Sequence, residues 1–244
     1  MGAVAYCILI RHGRSTANTQ GVLAGWTEGV ALDETGREQA ERLVTRLGET
    51  PVVHLATSPL QRCRETADPL LAAHGLTAQV HEGLGECRYG SWTGRALKDL
   101  VDEPLWRVVQ DRPSEATFPD GETHAGESIA AMAARAVAAV REIDAAVTAE
   151  HGEHAVWAAV SHGDVIKAIL AEAVATPLDD FQRLHVDPAS ISVVRYTSTR
   201  PMLLRSNDTG SSVLTPPRPK GDTPASGDAA VGGGAGLGST SVSG

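Results

Sequence analysis

Residues 6–18, YCILIRHGRSTAN, constrain the fold more than any other stretch. Tyr6 to Ile10 is an unbroken run of β-favouring apolar residues, the pattern of a central strand in a parallel sheet buried on both faces. Such a strand needs covering layers, so the run predicts an α/β domain. It stops abruptly at Arg11, His12 and Gly13. In open α/β sheets ligands bind just outside the carboxyl ends of the strands. Two cations, Arg11 and Arg14, lie close to an imidazole there, beside a glycine that lets backbone approach a ligand. Ser15 and Asn18 add hydrogen-bonding groups, and the ensemble predicts an anion site.

The rest of the chain supplies the layers. Residues 19–35 are rich in glycine and turn formers and read as a loop lying over the site. Asp33 or Thr35 can cap the next helix, with Glu38 completing a capping box with Thr35, and Ala40, Leu43, Val44 and Leu47 share one face. Val52 to Ala56 predicts a second strand. Ser58 reads as a helix cap with Pro59 as the first helical residue, and Pro69 should kink or divide that helix before Gly75 ends it. Ala78 to His81 predicts a short strand, 83–94 a loop with Glu86 as its carboxylate, and 96–109 one helix. The strongest helical stripe starts near Ser128 and runs through Ile129, Met132, Ala136, Val140 and Ile143.

Ala155 to Val160 repeats the opening device. It is another apolar run, ending in Ser161, His162 and Gly163, so ILIRHG and AAVSHG each place an imidazole directly after a buried strand and before a glycine. An apolar helix follows, then strands over 191–196 and 202–205. Residues 1–209 are predicted to form one catalytic domain. From 210 to 244 the chain is mostly Gly, Ser, Thr, Pro and Ala, so a disordered tail is expected. Its GGGAGLG stretch has neither the strand before it nor the helix after it that a dinucleotide loop needs.

Charge and cysteine usage narrow the functions. With 21 basic against 30 acidic residues, the formal net charge of -9 argues against nucleic acid and anionic membranes as partners. Cys7, Cys63 and Cys87 are an odd number at no metal-ligand spacing, no secretory signal precedes them, and reduced thiols in a cytoplasmic protein are expected. A zinc hydrolase would need His or Cys ligands paired at short spacing, and those are missing from the sequence.

Four strings in order, LIRHGRSTAN, SPLQRCRETA, Glu86 ahead of YGSWTG, and VSHGD, resemble the histidine phosphatase superfamily, also called the phosphoglycerate mutase-like family. The resemblance spans the chain to about residue 205. It implies a three-layer α/β/α sandwich with a mostly parallel central sheet. It also implies phosphoryl transfer through a phosphohistidine, with neither metal nor other cofactor, on a small phosphorylated metabolite. His12 matches the nucleophile, Glu86 the general acid, and Arg11, Arg62 and His162 the donors to phosphate; Ser15, Asn18 and Gly163 complete the set. Arg14 departs from the Glu or Gln of many relatives and is expected to contact phosphate or a second anionic group. The YGSWTG string and the compact stretch from Glu86 to Ser128 favour a phosphatase over a mutase. A catalytically dead phospho-ligand-binding protein is the alternative of another class, and a homo-oligomer stays open.

Overall fold

The computed structural model describes residues 5–210 and 231–234. The described residues form a six-stranded sheet in the order β3-β2-β4-β1-β5-β6. Its strands are β1 (Tyr6–Arg11), β2 (Val52–Thr57), β3 (Gln79–Val80), β4 (Val156–Ser161), β5 (Ile191–Arg195) and β6 (Met202–Asp208). The pairs β1/β4, β2/β4 and β2/β3 are parallel, while β1/β5 and β5/β6 are antiparallel, so that β5 alone opposes the other strands. The helices are α1 (Thr16–Gln20), α2 (Glu34–Leu47), α3 (Gln61–His74), α4 (Leu97–Leu100), α5 (Pro104–Asp111), α6 (Ile129–His151) and α7 (Gly163–Ala173).

Two apolar clusters flank the sheet, as a doubly covered strand requires. Cys7 and Leu9 of β1 point into one, with Met132, Ala136 and Val140 of α6 and Ile166 and Ile169 of α7. Ile8 and Ile10 point into the other, with Leu43 and Leu47 of α2 and Leu70 of α3. This alternation buries every residue of β1 after Tyr6 and fixes its register, because a one-residue slip would exchange the two sets.

Several expected boundaries move for identifiable reasons. Pro104 divides the expected helix over 96–109, occupying the first turn of α5, where its missing N–H costs nothing. Pro69 does not divide α3, which continues to the left-handed cap Gly75. Asp33 alone caps α2 by accepting from the Gly36 N–H; Thr35 is drawn off to accept from Arg14 Nη2 at 2.8 Å. The N-cap of α3 is Leu60, so Ser58 is released for another contact.

One close approach positions the first site loop. A Cβ on Gly36 would lie 2.0 Å from the Arg14 carbonyl oxygen, and one on Gly13 would lie 2.6 Å from the Gly36 carbonyl oxygen. The start of α2 therefore rests directly on the backbone that follows His12, a contact only glycine permits on either side.

Candidate active site

Parallel pairing assembles the two histidines. Arg11 of β1 sits opposite Ser161 of β4, so the next residue on each strand, His12 and His162, leaves the sheet at the same end. The His12 N–H donates to the Ser161 carbonyl at 2.9 Å, and the two rings meet edge to face with centroids 5.2 Å apart. Both are buried, at 2% and 0% exposure.

The hydrogen bonds set the tautomers. His12 Nδ1 lies 2.7 Å from the Gly13 carbonyl oxygen, which only a ring N–H can satisfy, so Nδ1 carries the proton. His12 Nε2 accepts from Arg62 Nε at 3.3 Å and keeps its lone pair. In His162, Nδ1 lies 3.3 Å from Arg62 Nη2, a donor, so the proton sits on Nε2, which faces Ser58 Oγ at 2.8 Å. Burial pushes both histidines well below the ordinary imidazole range, and the neighbouring Arg62 adds to it, with Arg11 contributing at each. Both rings are therefore neutral at pH 7.

Arg62, on the first turn of α3, also donates Nη2 to the Gly25 carbonyl at 3.0 Å, which ties the overlying loop to the site. Thr66, one turn later, accepts from the Gly13 N–H and donates to the Arg62 carbonyl. Burial lowers Arg11 from 12.5 to about 10, opposed by Glu86, Asp164 and Asp187, so it stays charged at neutral pH. Glu86 is 3% exposed. One oxygen accepts from the Cys87 N–H at 2.9 Å and the other lies 3.7 Å from His162 Nδ1. Burial and then Asp164 push its carboxyl up from 4.5 to about 7, against the pull of Arg62 and Arg11.

The acid loop is held from behind. Arg135 of α6 donates Nη1 to the carbonyls of Gly83 and Gly85 and Nη2 to that of Glu86. It is oriented by a two-point pair with Glu127, whose Oε1 also accepts from the Arg88 N–H. Trp26 donates Nε1 to the same Glu86 carbonyl at 2.6 Å. None of these three residues has a local sequence pattern that singles it out, because each acts through tertiary contact with backbone. Arg135→Ala removes the side-chain donor from the Gly83 and Gly85 carbonyls and leaves that of Glu86 to Trp26 alone. A misplacement of about 1 Å costs on the order of 10²-fold in rate, so kcat should fall by about that much with KM little changed, which steady-state kinetics on an aryl phosphate reads directly.

The other expected site residues divide. Ser15 and Asn18 line the cavity with His12, Arg62, Glu86 and Tyr89. Ser15 also caps α1 in a reciprocal box with Asn18, leaving the Asn18 amide nitrogen turned to the cavity side. Gly163 is buried as the first residue of α7, behind His162. Arg14 is not brought into the cavity: Nε donates to Asp33 Oδ2 at 2.6 Å and Nη2 to Thr35, so the expected anion contact gives way to an ion pair that stiffens the start of α2. Ser58, read from sequence as a helix cap, is instead the partner of His162. Cys63 Sγ lies 3.4 Å from His162 Nε2, but burial holds its thiol up near 12, so it packs and does not attack. The tail expected to be disordered lies mostly outside the described residues. Its Val231–Gly234 stretch, however, rests on this site with Val231 buried, because one large apolar residue there has a core to join.

A strand-end site holding two neutral imidazoles, two buried guanidiniums and a carboxyl raised toward neutrality is the arrangement of a phosphoryl-transfer enzyme that works on anions. The sequence model of the histidine phosphatase superfamily (branch 1) matches residues 7–209, and the chain belongs to that superfamily. An acid phosphatase of Mycobacterium tuberculosis is 35% identical over 198 residues, covering 78% of this chain and 85% of its own. A phosphoserine phosphatase of Hydrogenobacter thermophilus is 27% identical over 205 residues, covering 83% and 92%. Among solved structures, a mycobacterial glucosyl-3-phosphoglycerate phosphatase in complex with VO3 superposes with a TM-score of 0.71 at 26% identity, over 83% of this chain and 99% of that one.

Proposed function

We propose that the chain hydrolyses phosphomonoesters of small metabolites through a phosphohistidine on His12. The observation that carries this reading is the His12 tautomer: Nδ1 is fixed as a donor to the Gly13 carbonyl, which leaves an unprotonated Nε2 facing the cavity beside Arg62. In the first step the Nε2 lone pair attacks phosphorus in line and forms the P–N bond as the ester P–O bond breaks. The leaving oxygen takes its proton from Glu86, which is raised to about 7 and so is still half protonated at that pH. In the second step Glu86, now a carboxylate, takes a proton from water while the water oxygen attacks phosphorus, and the P–N electrons return to Nε2. Arg11, Arg62 and Asn18 donate to the equatorial oxygens, where charge spreads in the transition state. His162, expected from sequence as a further donor, has its proton on Nε2 toward Ser58 and instead accepts from Arg62 at Nδ1, which positions that guanidinium.

The same reading includes a small phosphorylated substrate, no nucleic-acid or membrane partner, and a cytoplasmic location. The location is supported by three buried free thiols. Among the described residues no helix is long and apolar enough to cross a membrane. The expected result is turnover of aryl and alkyl phosphates that persists in excess chelator, with free phosphate released from 3-phosphoglycerate faster than any isomer forms. Turnover abolished by chelator, or isomer as the main product, would contradict it.

A further inference from the structure

The segment Val231–Gly234 sits where a substrate must enter. Val231 is 2% exposed and joins the apolar cluster that holds Leu23, Tyr89 and α7. The Gly232 N–H donates to Asp164 Oδ2 at 2.9 Å, an oxygen that also accepts from the Tyr89 hydroxyl. Gly232 has φ +72°, and a Cβ there would meet Leu23 Cδ1 at 3.1 Å, so the backbone lies flat on the cavity wall as only glycine can. Beyond it, Arg11 Nη2 donates to the Gly234 carbonyl at 2.6 Å and to that of Gly232 at 3.4 Å, and Asn18 Nδ2 donates to the Gly234 carbonyl at 3.3 Å.

Two donors that the proposed mechanism directs at phosphate thus face carbonyl oxygens of the chain's own tail. The cavity that remains among His12, Asn18, Arg62, Glu86 and this segment is about 30 Å³. Sites for small molecules run to roughly 300–1,000 Å³, so the segment narrows this one. We propose that the site binds the chain's own Val-Gly-Gly-Gly segment as an intramolecular plug, anchored by Val231, which competes with phosphorylated substrate for Arg11 and Asn18. The proposal rests on the phosphate-binding reading of those two residues. Displacement is within reach, because a dianion adds a full charge–charge attraction and a two-point contact with the Arg11 guanidinium that a neutral carbonyl lacks. Gly232 has no side chain to pack, so Val231 alone supplies the apolar anchor.

The test uses the full chain, Val231→Asp and Gly232→Val. The first puts a charge into the apolar anchor, and the second strains a left-handed backbone against Leu23. Orthophosphate binding is measured by calorimetry and aryl phosphate turnover by steady-state kinetics. A segment docked nine-tenths of the time weakens apparent affinity about tenfold. Both variants should therefore bind orthophosphate about tenfold tighter and show KM lower by the same factor, with kcat within about twofold of the full chain's. Unchanged or weaker orthophosphate binding in both variants, or no binding in any of the three proteins, overturns the plug. Tighter orthophosphate binding without turnover in any protein keeps the plug and defeats the phosphatase reading instead.

Discussion

Replacing His12 with alanine lowers kcat for an aryl phosphate by at least about 10⁴-fold, the scale on which removal of a covalent nucleophile is felt. The imidazole presents an unprotonated Nε2 to the cavity. Its Nδ1 is committed to the Gly13 carbonyl, and burial, with Arg62 and Arg11 beside it, keeps it neutral. Arg11, Arg62 and Asn18 remain in the variant and still provide donors, so orthophosphate binding should fall far less than turnover does. Because protonation of His12 is pushed well below the ordinary imidazole range, activity should also persist on the acid side of pH 6, where an unperturbed histidine would already be charging. A variant that turns over at a tenth of the normal rate would assign nucleophilic attack elsewhere, to water or another side chain.

The Glu86→Gln variant has two separable consequences. The first is catalytic: loss of proton transfer costs about 10²–10⁴-fold, and the loss is larger for alkyl phosphates, whose leaving oxygens need the proton, than for activated aryl phosphates. In the free enzyme, kcat/KM should fall as pH rises through about 7, where Glu86 loses its proton, and this alkaline limb should be missing from the variant. The second consequence is stability. The folded-state pKa of Glu86 is raised, so below about pH 4.5 both folded and unfolded states hold the proton and the residue carries no penalty. As pH rises toward 7 the unfolded chain releases its proton first, and folding stability falls. Between 4.5 and about 7 this amounts to roughly 3 kcal/mol at about 1.4 kcal/mol per pH unit. Glutamine removes that dependence, so thermal denaturation should show the variant more stable than the parent at pH 8 and no more stable at pH 4.

The parts of this site that follow from strand periodicity could be read from sequence. An apolar run ending in His-Gly occurs twice, and parallel pairing in register converts that repetition into two adjacent imidazoles. Arg62 and Glu86 were reachable through their order along the chain. Ser58 is not legible because a serine before proline has a strong local use as a cap, and only the fold shows that Leu60 takes that position while Ser58 turns to His162. Arg14 is not legible for the opposite reason. Its charge suggested a ligand, whereas its partner is Asp33, nineteen residues away in sequence. Arg135, Glu127 and Trp26 hold the acid loop through backbone carbonyls and amides, and no spacing rule exposes contacts of that kind. The stretch 231–234 is the furthest from legible: one valine followed by glycines looks coreless until a cavity is present to receive that valine.

The phosphohistidine itself is the central claim, and it can be trapped. In Glu86→Gln, water attack on the phosphoenzyme loses its base while an activated aryl phosphate still drives phosphoryl transfer without a proton donor. Mixing that variant with aryl phosphate, quenching in alkali and mapping peptides by mass spectrometry should find phosphate on His12, labile in acid and stable in base. The double variant with His12→Ala should carry none. Phosphate on His162, on a serine, or on no residue at all while product still forms would contradict the account.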